Sequence, residues 1–189
     1  LSGLTSLAVL FERQGMWPEL LENLAQQQAL ATTSAERVKL LQRSGEILEK
    51  RQGDLDDALT RYAEAVEIDP THAPSIDALI RITRSAEHRS RAVELVEPLL
   101  RAQGRFDDLV QLIEAGLVGS EDGFARRAVL QRVAELHEHS RGKPADAFLA
   151  LCRALAEDPS DEALVADVER LARQLGRYDA LAGVLSAEA

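Results

Sequence analysis

The chain has 189 residues, 46% of them hydrophobic but only 4% aromatic, with six prolines and a formal net charge of −10. An acidic balance of this size repels nucleic-acid phosphates and anionic lipid headgroups, and no apolar run reaches membrane-spanning length, so neither nucleic-acid binding nor membrane insertion is expected. A single cysteine, Cys152, rules out an intramolecular disulfide framework, and the Ala- and Leu-rich, aromatic-poor composition predicts an all-α fold.

Leu4, Leu7, Ala8, Leu10 and Phe11 follow helical spacing, and Gly15 supplies a left-handed cap. Trp17 and Pro18 open the next predicted helix, which Leu20, Leu21 and Leu24 continue; an early proline is tolerated because that N–H has no intrahelical partner. Thr33 and Glu36 have capping-box spacing ahead of Val38, Leu40, Leu41, Ile47 and Leu48, whose helix reaches about Gln52. Gly53 closes it. Asp54, Asp56 and Asp57 then place negative charge at the start of a helix that buries Ala58, Leu59, Tyr62, Ala65 and Val66 and stops at Asp69-Pro70. A further helix is predicted from His72 to about Ser85.

The pattern then returns. Val93, Val96, Leu99, Leu100, Gly104, Phe106, Leu109 and Ile113 repeat the first pair of helices, and Val129, Leu130, Ala134, Leu136, Gly142, Ala147, Leu151, Ala154 and Pro159 repeat the second. Val165, Val168, Leu171, Gly176, Tyr178, Leu181 and Leu185 give the first pattern a third time, so about eleven helices are expected. Pro98 falls within one of them and should kink it at the carbonyl of Glu94.

The repetition has a fixed interval. Gly53, Asp57, Ala58, Ala65, Asp69 and Pro70 recur 89 positions later as Gly142, Asp146, Ala147, Ala154, Asp158 and Pro159. Sliding 14–82 onto 103–171 without gaps pairs about 16 identical residues in roughly 69, so the chain is read as one array, 1–189, of duplicated units. The spacer from Pro70 to Gly104 holds one helix more than that from Pro159 to Gly176, and the stacking is expected to change direction there.

At 33–70 and 122–159 the pattern resembles the tetratricopeptide repeat family. The stretch GDLDDALTRYAEAVEIDP has its turn glycine, small residue, aromatic, small residue and helix-ending proline at the family's offsets; GKPADAFLALCRALAEDP matches with Leu151 in the aromatic place. Gly45 and Ala134 stand as the small residues of the first helices, each eight positions before the turn glycine, so an extra residue is expected in the turn. The resemblance implies an α-solenoid of antiparallel helix hairpins, a right-handed superhelix whose small residues allow close helix approach.

Gln42, Glu46 and Glu49 form one helical stripe, matched by Gln131, Glu135 and Glu138. In the family such a stripe faces a concave groove, which would make these six residues the partner-binding strip and a charge-steered partner basic. The alternative is a solvated face in which Arg43 and Glu46 form an ordinary i,i+3 pair. The lysines and asparagines with which some family members clamp a peptide carboxylate are replaced here by Gln and Glu, which disfavours that mode.

Chemistry is poorly represented. His137 and His139 stand i,i+2 and point to different sides of a helix, so no metal is expected. Cys152 aligns with Ala63 and reads as core filler. Trp17, Phe106 and Tyr178 each follow a turn glycine by two positions and read as packing residues. With no phosphate-binding glycine loop, helical metal motif or nucleophile elbow, no catalytic residue and no cofactor is expected. The sequence therefore reads as a non-catalytic protein-protein interaction scaffold. The alternative is a spacer or self-associating module. Leu1 in place of Met and a helix already running by Leu4 suggest a piece of a longer chain, the arginine-over-lysine bias suggests a bacterial source, and the cytoplasm is the default compartment.

Overall fold

The computed structural model describes residues 2–117 and 121–177. Among them there are ten α-helices and no strand. The expected eleventh helix, with Tyr178, Leu181 and Leu185, lies outside the described residues.

The chain divides into two compact units, Leu1–Gln103 and Gly104–Ala189. The first contains α1 (Ser2–Gln14), α2 (Trp17–Leu30), α3 (Ser34–Ile47), α4 (Leu55–Ile68), α5 (Ala73–Ile82) and α6 (Arg89–Ala102). The second contains α7 (Phe106–Glu114), α8 (Gly123–Glu135), α9 (Pro144–Glu157) and α10 (Glu162–Leu175). Within each unit the helices pack mainly on their neighbours in the chain. α6 runs across Pro98 as one helix, and α5 and α6 together form the longer spacer after Pro70.

Local chemistry explains where these helices begin and end. The Glu36 N–H donates to Thr33 Oγ1 at 3.2 Å while the Glu36 carboxylate accepts from the Thr33 N–H at 3.4 Å, completing the capping box of α3. Asp54 caps α4 by accepting from the Asp57 N–H at 3.0 Å. After α4, Asp69 Oδ1 accepts from the Thr71 N–H and hydroxyl at 2.9 and 2.7 Å. Its duplicate, Asp158, does the same with Ser160 at 3.2 and 2.8 Å. Gly53 and Gly142 sit at φ 71° and 62°, a left-handed conformation that a side chain would resist.

The residue expected to be extra in the turn is instead taken up by the helix. α3 ends in a π-helical turn, Leu48–Gln52, and α8 in another, Leu136–Ser140. Wider i,i+5 bonding accommodates one more residue without breaking the helix. The following backbone is tied back alike in both copies: the Asp54 N–H donates to the Leu48 carbonyl at 3.0 Å and the Lys143 N–H to the His137 carbonyl at 2.7 Å.

Each unit buries its own core. Leu20, Leu24, Leu41, Leu59, Tyr62, Ile76, Leu79 and Leu100 are fully enclosed in the first, Leu109, Leu155, Val168 and Leu171 in the second. Each such side chain contributes about 1.5–3 kcal/mol by leaving water. Ala58 and Ala65, with their duplicates Ala147 and Ala154, have no exposed surface, so neighbouring helices approach closely at all four positions. Trp17 packs with Phe11 and Leu21 against Ala8, Leu20, Leu24 and Ile47, its ring under the Arg51 guanidinium at 4.9 Å.

Candidate functional site

In the first unit the predicted stripe is carried by α3 and its π-turn: Gln42 and Glu46 on the helix, Glu49 on the turn. Glu49 lies between two helices. The Tyr62 hydroxyl, from α4, donates to Glu49 Oε2 at 2.8 Å, and Arg81, from α5, donates Nε to Oε1 at 2.6 Å and Nη2 to Oε2 at 2.7 Å. A planar fork meeting a carboxylate along both oxygens is the strong form of this contact. Burial pulls Glu49 upward, but the hydrogen bonds from Arg81 and Tyr62 outweigh it and hold the carboxyl below its usual range. Burial, then the Glu49 carboxylate, push the Tyr62 hydroxyl well above the ordinary phenol range.

Gly45 makes room for that ring. A Cβ at Gly45 would lie 2.6 Å from Tyr62 Cε1. The helix therefore presents bare backbone where the phenol crosses it.

The second unit repeats this plan with two changes. Glu138, on the π-turn after α8, accepts from Arg170 of α10 at 2.6 and 3.0 Å, again through both oxygens, and the Arg170 hydrogen bond lowers its pKa. Tyr62 is replaced by Leu151 and Gly45 by Ala134. Here a groove opens, about 430 Å³ in volume, with Ala134, Leu151, Glu138, Gln131, Glu135 and Arg170 among its lining residues. Asp167 also borders it and accepts from Arg170 Nη2 at 3.0 Å.

The predicted residues thus divide by position. Gln131, Glu135 and Glu138 share one groove, whereas Glu46 pairs with Lys50 at 2.8 Å and Glu49 is enclosed by Tyr62 and Arg81. Arg43 does not pair with Glu46; it reaches Glu12 on α1 at 2.8 Å. Packing brings α1 beside α3, and a cross-helix carboxylate competes successfully with the local one. Arg81 and Arg170 were missed from the stripe although they too are identical across the 89-residue interval, a signal already present in the alignment.

The histidines and the cysteine occupy polar or packed positions. His72 and His88 precede α5 and α6, His72 Nδ1 bonding Ser75 Oγ at 2.9 Å and His88 Nδ1 bonding Ser85 Oγ at 3.1 Å. His137 is buried in the second π-turn, where Arg141 Nη1 donates to its Nδ1 at 2.8 Å, so the ring is neutral with its proton on Nε2. Cys152 is half-buried on α9, and burial raises its thiol pKa. Among the described residues no group of three His, Cys, Asp or Glu is placed to hold a metal ion, and no helix is long and apolar enough to cross a membrane.

In comparison with known proteins, no family model matches the chain, and no curated protein matches it.

Proposed function

We propose that this chain is a non-catalytic protein-protein interaction scaffold, an α-solenoid of tetratricopeptide-like antiparallel hairpins whose groove receives a polypeptide partner. The observation that carries this reading is the groove of the second unit, where Gln131, Glu135 and Glu138 of the repeated stripe meet around a mixed apolar and polar floor. A concavity of this size is that of a small-molecule pocket, enough to receive one side chain of a polypeptide among a few convergent polar groups. Partner choice rests less on net acidity than the sequence suggests, because Glu49 and Glu138 are already neutralised by arginines. Glu135, exposed at the rim, is the acid left to select a basic residue.

The test is a displayed-peptide library selected on the purified chain. Selected peptides should bind Glu135→Lys/Gln131→Lys at least about ten-fold more weakly while the melting temperature is unchanged. Failure to select any peptide, or binding indifferent to both substitutions, refutes the groove as the partner site.

A second reading, a spacer or self-associating module, is favoured by α1, where Leu7, Val9 and Leu10 are 44–47% exposed. Sedimentation velocity across a hundred-fold concentration range decides it: a dimer lost on Leu7→Glu/Leu10→Glu supports self-association, and a monomer throughout removes it.

A further inference from the structure

We infer that the groove of the second unit takes a phenol, presented as the tyrosine side chain of a partner polypeptide, with its hydroxyl donated to Glu138. The inference rests on the scaffold reading of this groove and adds the chemistry of its occupant.

The molecule contains its own precedent. In the first unit a phenol lies across bare backbone at Gly45 and donates to Glu49 Oε2, the same oxygen that accepts from Arg81 Nη2. In the second unit Arg170 Nη2 likewise donates to Glu138 Oε2, the carboxylate holding the same place beside its arginine fork. A carboxylate oxygen has two lone-pair directions, so one arginine N–H leaves room for a hydroxyl.

What differs is the filling. Exchanging Tyr62 for Leu151 removes the ring and the hydroxyl donor, and exchanging Gly45 for Ala134 adds a methyl where the ring had crossed, so the two swaps nearly cancel in volume while the carboxylate loses its internal phenol. Ala134, Leu151 and Glu138 all line the groove. The Glu138 side chain is 20% exposed where that of Glu49, under the tyrosine, is 11% exposed. The second unit thus keeps the acceptor and the arginine that holds it, and lacks the internal aromatic. A tyrosine from outside replaces what the first unit supplies from within. Its ring would rest on Leu151 and Ala134, and its hydroxyl would extend toward a carboxylate already fixed by Arg170. Phenylalanine would fill the same space without satisfying the acceptor.

The experiment titrates p-cresol, the tyrosine side chain as a free molecule, into the ¹⁵N-labelled chain, with 4-methylanisole as the match that cannot donate. Saturable shifts at Ala134, Glu138 and Leu151, with 4-methylanisole binding about ten-fold more weakly, support the assignment. Absence of those shifts, or equal binding of the two compounds, overturns it. Ala134→Gly/Leu151→Tyr rebuilds the first unit's arrangement in the second and should abolish the p-cresol shifts; p-cresol binding unchanged in that folded variant also overturns the proposal. Should circular dichroism show that variant unfolded, Glu138→Gln takes its place and should narrow the preference for p-cresol; an undiminished preference counts against the hydrogen bond. The displayed-peptide selection separates the two levels. Peptides that need Glu135 and Gln131 but contain no tyrosine defeat the phenol assignment and leave the scaffold reading intact. An empty selection beside saturable p-cresol binding defeats the scaffold reading and leaves the phenol site.

Discussion

Gly45 and Tyr62 are fitted to one another: the ring of Tyr62 lies so close to the α3 backbone that a methyl group on Gly45 would stand 2.6 Å from Cε1 and 2.8 Å from Cζ. The ring has nowhere to retreat, since Tyr62 has no exposed surface and its hydroxyl is held by Glu49. In an ordinary helix Gly→Ala stabilises by about 1 kcal/mol, but overpacking a core costs about 1–3 kcal/mol, and here the second effect should prevail. Gly45→Ala is therefore expected to lower stability by about 1–2 kcal/mol in urea melts. Paired with Tyr62→Leu, the combination already present as Ala134 and Leu151, the alanine should become stabilising. A cycle in which Gly45→Ala has the same effect with and without Tyr62 would refute the fit.

The two arginine-carboxylate forks are duplicates, yet they should not be equal in worth. Glu49 is less exposed than Glu138 and holds the Tyr62 hydroxyl besides Arg81, so removing Arg81 strands a more buried carboxylate. Both arginines are more than 40% exposed, and solvent screens much of the pairing energy. Arg170→Met is expected to cost about 0.5 kcal/mol and Arg81→Met about 1–2 kcal/mol. Chemical denaturation of the two variants checks the order, and an equal or reversed cost would show that the tyrosine adds nothing to the first fork.

What could be read from the sequence was chiefly what is local. Thr33 and Glu36 lie three positions apart, and the capping box needs nothing beyond that spacing. The αL glycines and the buried faces of α4 and α9 follow from single-residue sterics and helical period in the same way. Contacts that depend on tertiary neighbours were not legible. Arg43 chooses Glu12, 31 residues away, over Glu46, and Glu49 meets Arg81 across 32 residues. Arg81 and Arg170 are identical at the repeat interval, but no periodicity says which carboxylate each would meet. The eight-residue step from Gly45 to Gly53 revealed an additional residue without saying that a π-turn, and not the loop, would absorb it. The missing internal phenol of the second unit was not legible either: Leu151 where the resemblance expects an aromatic reads as a flaw in a motif until Tyr62 is seen donating to Glu49 in the corresponding place.

Cys152 should behave as a sluggish thiol. Burial raises its pKa, with the Arg177 charge opposing in part, so the thiolate fraction near neutral pH is below that of a free cysteine. Reaction with an aromatic disulfide reagent at pH 8 is expected to be at least about ten-fold slower than that of glutathione and to accelerate in urea. A native rate equal to or above the glutathione rate would point instead to an activated nucleophile on α9.

His137 links the stability of the second unit to pH. Burial, then the positive charge of Arg141, disfavour its imidazolium; Asp146 at 3.9 Å and Glu114 oppose them, Lys143 adds to them, and the balance leaves its pKa below the ordinary value. Arg141 also pairs with Asp107 in the first turn of α7, so the histidine acceptor helps hold a side chain that spans two elements. Because the folded pKa is depressed, the unfolded chain binds the proton first as the solution is acidified. Stability is therefore complete above the unfolded histidine pKa of about 6.5 and declines as pH falls from there toward the folded value. Thermal melts between pH 7.5 and 5 should show this decline in the native chain and a smaller one in His137→Asn, whose side chain cannot take up a proton. A variant that loses stability over the same interval as steeply as the native chain would show that some other group titrates there.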